Sequence, residues 1–138
     1  MVLVVATGVF EVLHPGHIAY LAESRRLGDR LVVIVASDET VRRMKGRVAV
    51  PQRQRLAVVK SLKVVDDAVV GHGRDMMSPI RRLKPDVVTV GHDQRFKVSE
   101  VRRMLGRAGV KARVVRIKKY WRGGLNSSNK IKQRIKRL

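Results

Sequence analysis

Apolar residues fall into two rhythms along this chain. Nearly unbroken runs of branched aliphatics recur at "VLVVA" (2–6), "RLVVIVAS" (30–37), "DDAVVG" (66–71), "DVVTVG" (86–91) and "ARVVRIK" (112–118). Runs of this length predict strands, and their lack of polar alternation predicts cover on both faces, as in a parallel sheet. Between them, apolar positions return at helical spacing. The groups are Ile18, Leu21 and Ala22; Leu56, Val59 and Leu62; Val98, Val101, Met104, Leu105 and Ala108; and, last, Ile131, Ile135 and Leu138. Strand and helix alternate from end to end. That order predicts a Rossmann-like, doubly wound α/β fold with a mainly parallel five-stranded sheet flanked by helices. No repeat or boundary interrupts it, so residues 1–138 are expected to form a single domain. The longest break, "RRMKGRVAVPQRQR" (42–55), is predicted to be a mobile basic loop over an active site.

Composition narrows the class of protein. A hydrophobic share of 44% argues against whole-chain disorder, and the absence of cysteine removes disulfides, thiolate nucleophiles and zinc ribbons. The opening "MVLVVATGVF" has no basic leader, and no apolar run is long enough to cross a bilayer, so a cytoplasmic protein with no membrane partner is expected. Lys and Arg number 31 against 11 Asp and Glu, a net charge of +20. Such a field attracts polyanions of every kind: nucleic acid, acidic membrane or nucleotide phosphates. A basic RNA-binding protein is therefore the rival from a different class. Aromatics at 4%, in no run resembling a base-stacking sheet, argue against a specific nucleic-acid partner.

The candidate chemistry lies in "TGVFEVLHPGHIAYL" (7–21), which follows the first predicted strand. In an open α/β sheet, ligands sit beyond the carboxyl ends of strands, and a helix N-terminus there offers backbone N–H groups to an anion. Gly8 and Gly16 are expected to let a phosphate approach the backbone, and Pro15 fixes the chain between His14 and His17. Three residues apart at a helix entry, both imidazoles can project to one side and donate where charge builds on a reacting phosphorus. Taken alone, H-x-G-H favours a surface histidine and a helix cap; placed after the first strand, behind "TGVF", it favours the phosphate reading. A metal pair would need more ligands than Glu11.

This stretch resembles the G-T-F-D-x-x-H-x-G-H signature of the cytidylyltransferase-like nucleotidyltransferases. Further likenesses, in order, are "VVIVASD", "KGR", "PQRQRL", "SLKVVDDAVVG", "GHDQRF" and "KKYWRGGLNSSNKI", and together they are most similar to the archaeal FAD synthases. The resemblance implies a nucleotidyltransferase domain over the whole chain, with ATP and FMN as substrates, Mg²⁺ accompanying ATP, and a homodimer. It implies catalysis by His14, His17 and Lys45, and nucleotide binding by Val9, Phe10, His14, Pro15, Gly16, His17, Asp93, Tyr120, Ser127 and Ser128. Weaker phosphate or acceptor contacts fall to Thr7, Gly8, Arg55, Trp121 and Asn126, and no protein metal ligand is expected. Val9-Phe10-Glu11 departs from T-F-D: Val9 keeps its backbone N–H, and Glu11 keeps the charge on a longer arm. The arginine that glycerol-phosphate cytidylyltransferases carry near the last motif is replaced by Trp121. An enzyme using CTP or ATP with glycerol 3-phosphate or a sugar phosphate is the nearest alternative. Asn126, Ser127 and Ser128 read equally as helix caps or as phosphate ligands.

Overall fold

The computed structural model describes residues 1–138 apart from Arg74, Met76, Asp93 and Arg95. The elements run β1 (Leu3–Gly8), α1 (Pro15–Arg25), β2 (Arg30–Val35), α2 (Asp38–Lys45), α3 (Gln52–Lys60), β3 (Asp67–Val70), α4 (Met77–Leu83), β4 (Val87–Val90), α5 (Val98–Arg107), β5 (Arg113–Arg116) and α6 (Ser128–Lys136). All five predicted strands form, and every pairing is parallel, in the order β3-β2-β1-β4-β5. The predicted double cover is also present. Val4, Ala6, Leu31 and Val33 face one way against Leu21 of α1 and Val59 of α3. Val5, Val32, Ile34 and Val88 face the other way against Ile80 of α4 and Leu105 of α5. Successive strand residues point to opposite faces, so a continuous aliphatic run fills both cores at once.

Two helices were not foreseen. In α2, "DETVRRMK", the one buried aliphatic is Val41. Its start is set by Ser37, whose Oγ accepts from the Thr40 N–H at 3.2 Å. The seven-residue α4 contains Pro79 and buries Ile80. α2 offers no repeating apolar stripe, and in α4 the spacing of Met77, Ile80 and Leu83 is confined to seven residues with Pro79 inside, too short a run to stand out. As a result, the break expected over 42–55 shrinks to residues 46–51, and Lys45 ends a helix instead of standing in a loop.

Sheet order reverses at β1, and the strands part there. β1 stays paired to β2 as far as Gly8↔Val35, but its pairing with β4 ends at Ala6↔Thr89. The backbone groups beyond that point still need partners. Tyr20 of α1 supplies them: its Oη accepts from the Thr7 N–H at 3.3 Å and lies 3.1 Å from the Thr89 carbonyl and 3.4 Å from that of Thr7. From the loop after β4, Gln94 Nε2 donates to the same Thr7 carbonyl at 3.1 Å. The opening between β1 and β4 is thus held apart by side chains, as a ligand crevice at a switch point requires.

Candidate active site

β1 ends at Gly8, and the chain turns sharply at Phe10, whose φ of 55° is unusual for a residue with a side chain. The turn folds the Phe10 ring back over Gly8, where an added Cβ would come within 2.6 Å of Phe10 Cζ. Gly8 therefore makes room for a phenyl ring, which covers its Cα. Phe10 itself is buried, so it can offer a nucleotide its backbone but not its side chain. Its ring centroid lies 5.2 Å from that of His17 and supports that imidazole from below.

His14 is the N-cap of α1, and Pro15 occupies the first helical position, where a missing N–H costs nothing. His14 Nδ1 accepts from the Gly16 N–H at 3.0 Å, and His17 Nδ1 accepts from the His14 N–H at 3.2 Å. This is a capping box built from two histidines instead of Ser and Glu. It brings the rings together, with centroids 3.8 Å apart and planes inclined by 32°. Because each Nδ1 is an acceptor, each neutral ring carries its proton on Nε2. The sequence places two imidazoles side by side; the cap turns both into Nε2–H donors. Gly16 is essential to this arrangement. A Cβ there would lie 2.7 Å from His14 Cε1 and 3.1 Å from the Asn126 carbonyl oxygen.

That last contact brings in α6, whose N-terminus meets that of α1. Ser127 is the α6 cap, with Oγ accepting from the Lys130 N–H at 3.2 Å, while Ser128 Oγ donates to the Val12 carbonyl at 3.3 Å. Asn126 spends its amide on the Trp121 carbonyl and the Lys130 ammonium. The three polar residues therefore divide the work: one cap, one tether to the histidine loop, one brace. The N-terminus of α6 thus lies against the loop that enters α1, and each helix N-terminus carries partial positive charge.

Arg55 is placed differently from the expectation that it closes over a phosphate. It is 1% exposed, and its guanidinium donates to the carbonyls of Val50 (2.8 Å), Val9 (2.9 Å) and Ala36 (2.6 Å) and to the Asp38 carboxylate (2.8 Å). The fork is consumed inside the protein. It clasps the turns after β1 and β2 to the start of α3, which fixes the floor of the site.

Glu11 is buried, with a side chain 2% exposed. Its Oε2 accepts from the N–H groups of Ala49 and Val50, and its Oε1 meets Lys132 Nζ at 3.2 Å and Lys45 Nζ at 3.9 Å. Burial alone would raise its pKa, but the Ala49 N–H, the Lys132 ammonium and the Val50 N–H outweigh it and hold the carboxyl below its ordinary 4.5. The folded protein thus binds this proton less readily than the unfolded chain. The resulting stability is present in full above the unfolded pKa and drains away as pH falls through the lower folded value. Thermal melting from neutral pH down into the acid range should show that loss, and Glu11→Gln should flatten the acid limb. An unchanged acid limb in Glu11→Gln would remove Glu11 from this account.

Tyr120 and Trp121 are half exposed, and Tyr120 stacks on His92 with centroids 4.9 Å apart and Arg122 5.8 Å above its ring. Lys118, Lys119, Tyr120 and Arg122 line an open hollow of about 260 Å³. Asp93 lies outside the described residues. Its neighbour Gln94 fixes this loop at both ends, since Oε1 also accepts from the Gly91 N–H at 2.7 Å. Arg116 adds bonds to the carbonyls of Gly91 (2.7 Å) and Phe96 (2.6 Å). Gln94, Arg116, Lys132 and Glu11 are the site-forming residues that sequence reasoning did not assign. Glu11 and Gln94 stand inside "TGVFEVLHPGHIAYL" and "GHDQRF", but their roles, like those of Arg116 and Lys132, come from bonds to residues distant in the chain such as Ala49, Thr7 and Gly91. Among the described residues, no three His, Asp or Glu side chains gather as a metal cage, and both oxygens of Glu11 are already engaged.

The cytidylyltransferase-like family model matches residues 5–134. FAD synthases of Thermoplasma volcanium and Thermoplasma acidophilum are 46% and 48% identical to this chain, over 100% of it and 96% of each of those proteins. That of Methanopyrus kandleri is 49% identical over 96% of this chain and 90% of its own. A solved structure described as a lipopolysaccharide core biosynthesis protein from Thermoplasma volcanium superposes with a TM-score of 0.84 and 46% identity, covering 88% of this chain and 99% of that one. A protein described as of unknown function from Archaeoglobus fulgidus shares the fold at a TM-score of 0.68 and 20% identity, covering 83% of this chain and 88% of that one.

Proposed function

Because this chain belongs to the cytidylyltransferase-like family, we propose that it transfers the adenylyl group of ATP to FMN, giving FAD and pyrophosphate. A phosphate oxygen of FMN attacks the α-phosphorus of ATP in line. The bond from that phosphorus to the bridging oxygen breaks, and pyrophosphate leaves with the electron pair. The nucleophile is a phosphate monoester with a second pKa near 6, so it is already an anion at neutral pH and no general base is needed. The work left to the protein is alignment and stabilisation of charge.

The observation that carries this reading is the double histidine cap. Two Nε2–H donors, fixed by backbone bonds to their Nδ1 atoms, suit the α-phosphate oxygens as charge spreads onto them. The meeting N-termini of α1 and α6, with Lys45 and Ser128 at their edge, suit the β and γ phosphates. With Glu11 engaged, Mg²⁺ enters on the oxygens of ATP itself, and no step is assigned to a protein-bound ion. The exposed Tyr120–His92 stack offers an aromatic face to a ring system, adenine or isoalloxazine. A substrate pair of ATP and FMN fits work in the cytoplasm. The identities of 46–49% to named FAD synthases over nearly the full chain support FMN as acceptor.

The test is a turnover screen of the purified chain with Mg²⁺, pairing ATP or CTP with FMN, glycerol 3-phosphate or a sugar 1-phosphate, and separating products by chromatography. FAD and pyrophosphate should appear in equal amounts from ATP and FMN. No FAD, with turnover of another pair, would overturn the flavin assignment and keep the transferase one.

A further inference from the structure

The geometry points to Glu11 as the positioning residue of the triphosphate site: its buried carboxylate docks α6 and the 46–51 segment onto the histidine loop, and Lys132 is a phosphate-directed cation held in place by it. This deepens the nucleotidyltransferase reading and rests on it.

The first support is how weakly α6 is held by anything else. None of its residues is buried, and Ile135 of its apolar stripe is 59% exposed. Hydrophobic packing therefore does not fix the helix. Its side-chain bonds to the histidine loop among the described residues are Ser128 to the Val12 carbonyl and Lys132 to Glu11. Ser128 pins the first turn, and Lys132, four residues on, pins the next turn on the same face. Together they set the helix axis, and with it the direction of its N-terminal N–H groups.

The second support is the convergence of charge. One carboxylate oxygen lies between two ammoniums, from the last residue of α2 and from the middle of α6. Lys45 and Lys132 are 41% and 34% exposed, so both are open to an arriving anion. A lysine ammonium on a four-carbon stem loses much rotamer freedom when it binds phosphate, unless it is already restrained. Glu11 restrains both beside the loop that carries His14. Its other oxygen holds the backbone of Ala49 and Val50, so the cover and the cations are set by the same group. Charged hydrogen bonds of this kind are about twice as strong as neutral ones, which suits a single residue holding three segments.

The test compares wild type with Glu11→Gln, Lys132→Met and the double variant. Titration calorimetry reads binding of ATP and of inorganic tripolyphosphate; steady-state assays read KM and kcat for FAD formation. Glutamine can keep its one oxygen on the Ala49 and Val50 N–H groups, which removes the charge and turns its NH2 donor toward the ammoniums. Each single variant should weaken both ligands by about tenfold and raise KM for ATP to match, with kcat falling less than roughly threefold. The double variant should fall well short of the product of the two single losses, because both changes remove the Glu11–Lys132 pair. Losses that multiply in the double variant, or an altered melting temperature with unchanged ATP affinity, would overturn the inference. If Glu11→Gln does not fold, Lys132→Met on the exposed helix decides alone, and wild-type affinity there overturns it. Wild type that binds ATP but forms no FAD would refute the flavin reading and leave the calorimetric comparison standing.

Discussion

His14→Ala should lower turnover by roughly 10²–10³-fold, the scale of losing one fixed transition-state donor, with KM for ATP changed only a few-fold. The reason is the hydrogen bond at 3.0 Å from the Gly16 N–H to Nδ1, which fixes the ring's tautomer and points its Nε2–H donor across the ring from the helix end. Alanine removes the donor and the cap together, so stability should also fall, by about 1 kcal/mol for a lost N-cap. His14→Asn separates the two roles. Asparagine is a strong N-cap and should restore the melting temperature, but its short amide cannot reach as far as an imidazole Nε2 and should not restore the rate. Single-turnover kinetics and thermal melts on the two variants check this. A rate in His14→Asn close to wild type would show that the ring serves the helix and not the phosphorus.

The largest stability effect should come from Arg55→Met, which should cost about 3 kcal/mol, toward the lower end for breaking a buried ion pair. Methionine fills most of the volume but leaves the carbonyls of Val9, Ala36 and Val50 without their donor. Asp38 is 23% exposed and can recover some hydration, which keeps the figure from the top of the range. For a domain of this size the melting temperature should drop by roughly 10 °C. Arg55→Lys should rescue little, because a single ammonium cannot reach four acceptors arranged for a planar fork. Melting curves of both variants give the measurement. A drop of only a degree or two would mean that water replaces the clasp, and that the turns after β1 and β2 hold themselves.

How Arg55 and Glu11 came to be misplaced or passed over shows where one-dimensional reading stops. Both stand in segments dense with charge, where a sequence offers no way to tell a solvated ion from a buried one. Arg55 sits in "PQRQRL" two residues after Arg53, yet Arg55 is 1% exposed and Arg53 faces solvent. The difference is the helix phase of α3 against the sheet. Gly8 and Gly16 make the same point: the lack of a Cβ at each serves a ring of the protein itself, Phe10 in one case and His14 in the other.

What the sequence determined alone is the parallel sheet, the helices with a repeating apolar stripe, and the nearness of His14 to His17. The sheet follows from unbroken aliphatic runs, and the helices and the histidine pair from a period of about 3.6 residues, signals that lie within short stretches of chain. What only the tertiary structure decided is the use made of each charge and each gap. The opening between β1 and β4, the buried fork of Arg55 and the meeting of α6 with the histidine loop all depend on partners distant in the chain. Such pairings are chosen by packing and by the need to satisfy buried polar groups, and neither leaves a periodic trace along the chain.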